Sequence, residues 1–271
     1  MLTQYFKTLG AAFFSSSLYV RVVKHWHGLG MGYFLFVIIL GAIPLSVRMN
    51  IELNQFFKDK ILFPIQSIPL LRIEHGELIY HQPMPDLIKN KNRDVVSIID
   101  TTGAVFAMSS AYPELTMLIT KNKIDFRPPS YKQFLGFTKN SMNNPIYTHT
   151  FDKELSGYIS GQEWLHSSGI LRLNTVIQIF ILPLIILFYF FIFTVTLLLL
   201  SSIVQLYSDI FFNLQLSFKA SCRLLSVAVT PALVVFFSMQ CSHLALPIID
   251  YGVLILAYIS YGLYSVKWRS V

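Results

Sequence analysis

Residues 176–206 carry no charged side chain over about 31 positions. About 20 apolar residues suffice for a helix to cross the roughly 30 Å of bilayer hydrocarbon, so this run spans with turns to spare. Hydrocarbon offers no water to backbone N–H and C=O groups, which leaves a helix as the fold for an unbroken apolar run. Three further blocks accompany it, at 30–48, 224–241 and 247–266. Together they explain why hydrophobic residues reach 54% of the 271 and charged ones only 13%, against about 25% charge in a soluble domain. The first block begins late and no small-residue cleavage site follows it, so it is a helix rather than a signal peptide.

Charge sets the expected orientation. Lys219 and Arg223 precede the third span and Lys267 and Arg269 follow the fourth, while the link 242–246 between them has neither Lys nor Arg. By the positive-inside rule that link is outside and the C-terminus, 267–271, inside. Four spans then place residues 1–29 inside as well, and Lys7, Arg21 and Lys24 agree; Arg48, Lys58 and Lys60 beyond the first span dissent. The net charge of +7 is therefore read as anchoring. The basic residues form no stripe with interleaved aromatics, so no nucleic acid is expected as a partner.

In the N-terminal segment Leu2, Tyr5, Phe6, Leu9 and Phe13 recur at helical spacing. This pattern suits an amphipathic helix on the inner surface or an ordinary juxtamembrane extension. His25-Trp26-His27 follows. Side chains two apart on a helix diverge, so Trp26 as an interfacial anchor accounts for the triplet better than a metal site does.

Residues 49–173 read as a soluble domain inserted between the first two spans, with charges almost balanced. Three β-hairpins are predicted, each broken by a Gly or Asn that tolerates positive φ. The strands are 70–74 and 77–80 around His75-Gly76, 95–100 and 104–107 around Thr101-Thr102-Gly103, and 115–120 and 123–127 around Asn122. Residues 51–67 and 151–167 have helix-like apolar spacing, with Pro64 as an interruption. The fold class expected is an α-helical integral membrane protein with about four spans and an inserted small α+β extracytoplasmic domain. Cytoplasmic loop 207–223 joins the second and third spans.

Catalytic patterns are scarce. Asp100-Thr101-Thr102-Gly103 resembles a D-T-G triplet, but that chemistry needs two carboxylates sharing a proton. With one interrupted copy, the Asp and Thr side chains are expected to bond their own turn. Nucleophile elbow, P-loop, dinucleotide fingerprint and zincin motifs are all missing. No catalytic, cofactor-binding or metal-ligating residue is assigned, and no cofactor is expected. Cys222 and Cys241, at opposite ends of the third span, stand about 28 Å apart at 1.5 Å per residue and are expected not to pair. His243 and Asp250 form a polar pair near the outer interface, where Asp250 also suits a helix start. Arg223, Thr230 and Pro231 are the expected contacts for a lipid or partner helix. Pro231 removes a backbone donor, Thr230 could satisfy the carbonyl so freed, and a kink there would open a groove.

Three stretches carry a family resemblance: the aromatic N-terminus through Gly28-Leu29-Gly30; Ile73-Glu74-His75-Gly76-Glu77-Leu78 with Ile98-Ile99-Asp100-Thr101-Thr102-Gly103; and Ser217-Phe218-Lys219-Ala220-Ser221-Cys222-Arg223-Leu224 with Ala228-Val229-Thr230-Pro231. They resemble the bacterial membrane family called domain of unknown function 1189, and more faintly Yip-type membrane proteins. The resemblance implies a protein of the bacterial cytoplasmic membrane with this span–domain–three-span plan. Some members carry annotations hinting at maltodextrin uptake. The function expected is a non-catalytic binding, scaffolding or accessory subunit, whose extracytoplasmic domain meets an envelope ligand or partner while membrane lipid and another membrane protein contact the spans. The alternatives are a subunit or regulator of a transport system, and a lipid-modifying enzyme using His243 and Asp250.

Overall fold

A computed structural model describes residues 2–134, 144–154, 156–242, 244 and 246–268. The chain divides into a helical unit, Met1–Met49 with Phe180–Val271, and an inserted unit, Asn50–Ile179. Among the described residues three helices are long and apolar enough to cross a membrane, or four if one bent pair counts as a single span.

The helical unit opens with α1 (Leu2–Ala11) and α2 (Ser16–His25), followed by the first part of α3 (Met31–Phe57). The N-terminal segment does more than lie on a surface. Tyr5 and Phe6 of α1 meet Phe36 of α3 at ring distances of 5.5 and 5.0 Å. Tyr19 and Val22 of α2 are fully buried, and Trp26 packs edge-on to Tyr33. Beyond the inserted unit come α7 (Ile170–Phe212), α8 (Phe218–Ala228), α9 (Thr230–Cys241) and α10 (Ile248–Trp268). Helix α2 packs on α8 and α10, and the close approach is set by Gly262, where a Cβ would come within 2.7 Å of the Tyr19 ring. On α7 large apolar side chains stay uncovered around the helix, Leu187, Phe191 and Leu199 among them.

In the inserted unit α3 runs on through one π-helical turn, Lys58–Leu62, into α4 (Phe63–Gln66). Pro64 does not interrupt it: the chain stays helical past Pro64, which stands in the first turn of α4 directly after the π-helical turn. Eight strands follow: β1 (Leu71–Glu74), β2 (Glu77–Ile79), β3 (Asp86–Lys89), β4 (Val95–Asp100), β5 (Met117–Thr120), β6 (Lys123–Phe126), β7 (Tyr147–Thr150) and β8 (Gly157–Ile159). Helices α5 (Tyr131–Phe134) and α6 (Gly161–Ser167) complete the unit. The strands form two sheets, β2-β1-β8 and β3-β4-β5-β6-β7.

Two predicted hairpins form and one does not. His75 and Gly76 take φ of 49° and 77°, the paired left-handed geometry that suits a two-residue turn, and Arg72 pairs with Ile79. The β5–β6 hairpin pairs Met117 with Phe126, although Asn122 is not among the left-handed residues. Residues 104–107 form no strand. The Asp100 carboxylate claims the N–H groups of Thr102 and Val105 at 2.8 and 2.5 Å, so the chain turns away, and β4 pairs instead with β3 and, in parallel, β5. Of residues 151–167 only 161–167 are helical, and 157–159 extend β1 as an edge strand.

The continuous apolar run of β4 reflects burial on both faces. Ile99, with Met117 and Ile119, enters the main core beside Ile65, Leu71 and Leu165. Ile98 and Leu118 enter a smaller cluster on the opposite face. Gly161 lets α6 lie against α4, since a Cβ there would run into the Ile65 carbonyl oxygen.

Candidate functional site

The residues expected to contact a lipid or helix gather at a break in the chain. Helix α8 starts at Ser217, whose hydroxyl accepts from the Ala220 N–H at 3.3 Å. Helices α8 and α9 meet at Val229 with a 42° bend, the kink that Thr230-Pro231 predicts. Pro231 deprives the Val227 carbonyl of its usual donor, while the Val229 N–H keeps its helical bond to the Leu225 carbonyl at 2.9 Å. Thr230 bonds elsewhere: its hydroxyl donates to the Ser226 carbonyl at 3.3 Å. Its one proton being committed, Thr230 must accept from the Tyr33 hydroxyl 3.0 Å away. Ser226 in turn donates to the Arg223 carbonyl at 2.8 Å. Gly30, at φ +80°, brings α3 onto this face; a Cβ there would stand 2.6 Å from the Ser226 hydroxyl. Arg223 is half-buried with its Nε lacking a hydrogen-bond partner.

Beside the bend lies a cavity of about 300 Å³, lined by Phe34, Phe193, Leu197, Val229, Leu233 and Tyr251 among others. Among the described residues no charged side chain lines it, so it suits an apolar occupant. Cys222 and Cys241 are free. Asp250 is exposed in the first turn of α10, where the N-terminal helix charge favours an acid. His243, its expected companion, lies outside the described residues.

Asp100 is fully buried. Burial raises its pKa, but the Thr102 hydroxyl at 2.6 Å and the N–H groups of Val105, Thr102 and Gly103 outweigh that and hold it below the ordinary value. A carboxylate so saturated closes a turn, as the sequence suggests. Among the described residues no group of three or more His, Cys, Asp or Glu is placed to hold a metal ion.

The feature that sequence reasoning missed is a cleft of about 500 Å³ in the inserted unit, well within the range for a small-molecule site. Its floor is the buried side chains of Ile68, Leu71, Ile119 and Phe151. Phe126 and Trp164 wall it, edge to face at 6.5 Å. Tyr147, Thr148 and His149 of the edge strand β7 form one lip, and Ile159 with Ser160 the other. The polar groups at the lips are mostly engaged: Thr148 donates to buried Asp125 at 2.6 Å, and Ser160 caps α6 by accepting from the Glu163 N–H. All four residues of β7 are exposed, so no apolar alternation betrays the strand. Trp164, a lone Trp after a Gly, was the available signal.

A family model described as "Protein of unknown function (DUF1189)" matches residues 6–266, nearly the whole chain. Comparison with the curated proteins and with the solved structures gives no match.

Proposed function

The chain belongs to that family, and from this premise we propose that it is a non-catalytic binding or accessory protein of the bacterial cytoplasmic membrane. In this reading the helical unit spans the bilayer four times, α8 and α9 counting as one bent span, with both termini inside. The inserted domain faces outward and engages an envelope ligand or partner. The cleft carries the proposal, because it is a ligand-sized concavity with aromatic walls and its lips are edge strands. A photo-crosslinking amino acid at position 164, in intact cells, is expected to give a discrete adduct that the same amino acid at exposed Lys91 does not. Identical patterns from the two positions would defeat the proposal.

The basic residues flanking the last two spans support the orientation. In a cysteine-free background, an impermeant thiol reagent should label a cysteine at position 91 in whole cells and spare one at 267. The opposite result would invert the topology. A second reading, a subunit of a transport assembly, draws support from α7, where only 6% of the most apolar window is buried within the chain. Such a helix presents a full apolar surface to lipid or to a partner span.

A further inference from the structure

We propose that the cleft of the inserted domain holds a single acyl chain. This rests on the reading of the domain as an outward-facing binding module and names the class of its ligand.

The lining decides the chemistry. Four aliphatic side chains, Ile68, Leu71, Ile119 and Ile124, face Ile159 and the rings of Phe126, Phe151 and Trp164. Among the described residues no Asp, Glu, Lys, Arg, Asn or Gln lines the space. A sugar or a charged metabolite would lose its hydration there without regaining hydrogen bonds. Of the hydroxyls at the rim, Thr148 is committed to Asp125 and Ser160 to the α6 N-terminus, while exposed Tyr147 stands at the lip beside His149. A ligand held there is therefore held by burial of apolar surface, with His149 left to meet a polar end at the mouth.

The position of the cleft in the fold fits the same ligand. Ile68 stands two residues beyond the continuous helix Met31–Gln66. Trp164 stands six residues before α7 begins. The chain on either side of the cleft residues therefore continues into helices apolar enough to span a bilayer.

The test uses the full chain in nanodiscs of phosphatidylethanolamine and phosphatidylglycerol. Two probes are compared: phosphatidylglycerol bearing a diazirine in one acyl chain, and a free diazirine fatty acid. After irradiation, adducts are mapped by mass spectrometry. Expected are adducts on the peptides holding residues 119–126 and 147–164, in addition to those on α7. Ile124→Trp and Ile159→Trp fill the cleft from opposite sides, and close packing should then cut the domain adducts about tenfold. The adducts on α7, which monitor folding and insertion, should hold steady. Labelling by either probe supports the proposal, and the one that labels identifies a lipid or a free acid as the source. Labelling confined to α7 in the unsubstituted chain overturns it, and so do domain adducts that survive both tryptophans. If no acyl chain enters, yet position 164 still gives its discrete adduct in cells, the acyl-chain assignment alone has failed. If neither is seen, the binding-module reading fails with it.

Discussion

The inserted domain and the helical unit both bury hydroxyls, but among the described residues only the domain also buries carboxylates. The domain buries carboxylates: Asp100 is fully buried and Asp125 nearly so, held by Thr102, Val105, Thr148 and Lys123. The helical unit buries hydroxyls that point back at their own helix, as Ser201 does to Leu197, Ser226 to Arg223 and Ser265 to Tyr261. The reason lies in which backbone groups are spare. A turn leaves N–H groups unclaimed, and a carboxylate can collect them. A helix interior has spent every N–H on the ladder, but each carbonyl keeps a second lone pair, which suits a donor with one proton.

The largest effect should come from the tightest approach of backbone to backbone across elements, at Gly161. Gly161→Ala sets a methyl against the Ile65 carbonyl, and overpacking of that kind costs about 3 kcal/mol. Faster proteolysis within 50–179 would show it. Gly262→Ala meets only the Tyr19 ring, which can shift, so its cost should be smaller; equal costs would erase the distinction between the two units.

Next is Asp100→Ala, which strands the buried N–H groups of Thr102 and Val105 at about 2 kcal/mol. Its sign with pH is fixed. The folded pKa is held below the ordinary 3.8, so this contribution is complete above that value and is lost as pH falls through the folded one. Acid titration of the unsubstituted chain, followed by hydrogen exchange in β4, should show the loss, and the Asp100→Ala chain should lack that limb. A loss appearing near neutral pH would point to another group.

Thr230→Val should be mildest, about 1 kcal/mol, in line with hydrogen bonds between spanning helices. The change removes the hydroxyl that donates to the Ser226 carbonyl and strands the Tyr33 hydroxyl. Thermal melting in detergent measures it. A cost matching that of Asp100→Ala would mean that helix hydroxyls matter as much as turn carboxylates.

What the sequence disclosed follows the same division. The long helices were legible because their apolar runs are uninterrupted over the length a bilayer crossing needs, and the bend because Thr230-Pro231 has only one backbone consequence. His75-Gly76 announced its turn by its own φ. The docking of α2 was not legible, since Tyr19 and Val22 would give the same pattern on a membrane surface. Residues 104–107 misled because their β-forming composition says nothing of Asp100 having taken the needed N–H groups. The cleft was hidden because β7 and β8 are mostly exposed strands, and such strands carry no periodic apolar signal.

The seat of Gly161 also bears on how such a chain can drift over time. Any side chain there meets a carbonyl oxygen that belongs to the backbone, which no neighbouring replacement can trim. Relatives that keep α4 against α6 are thereby confined to glycine at this position. Gly252 has open space around it and an ordinary backbone, so it is free to wander among many residues.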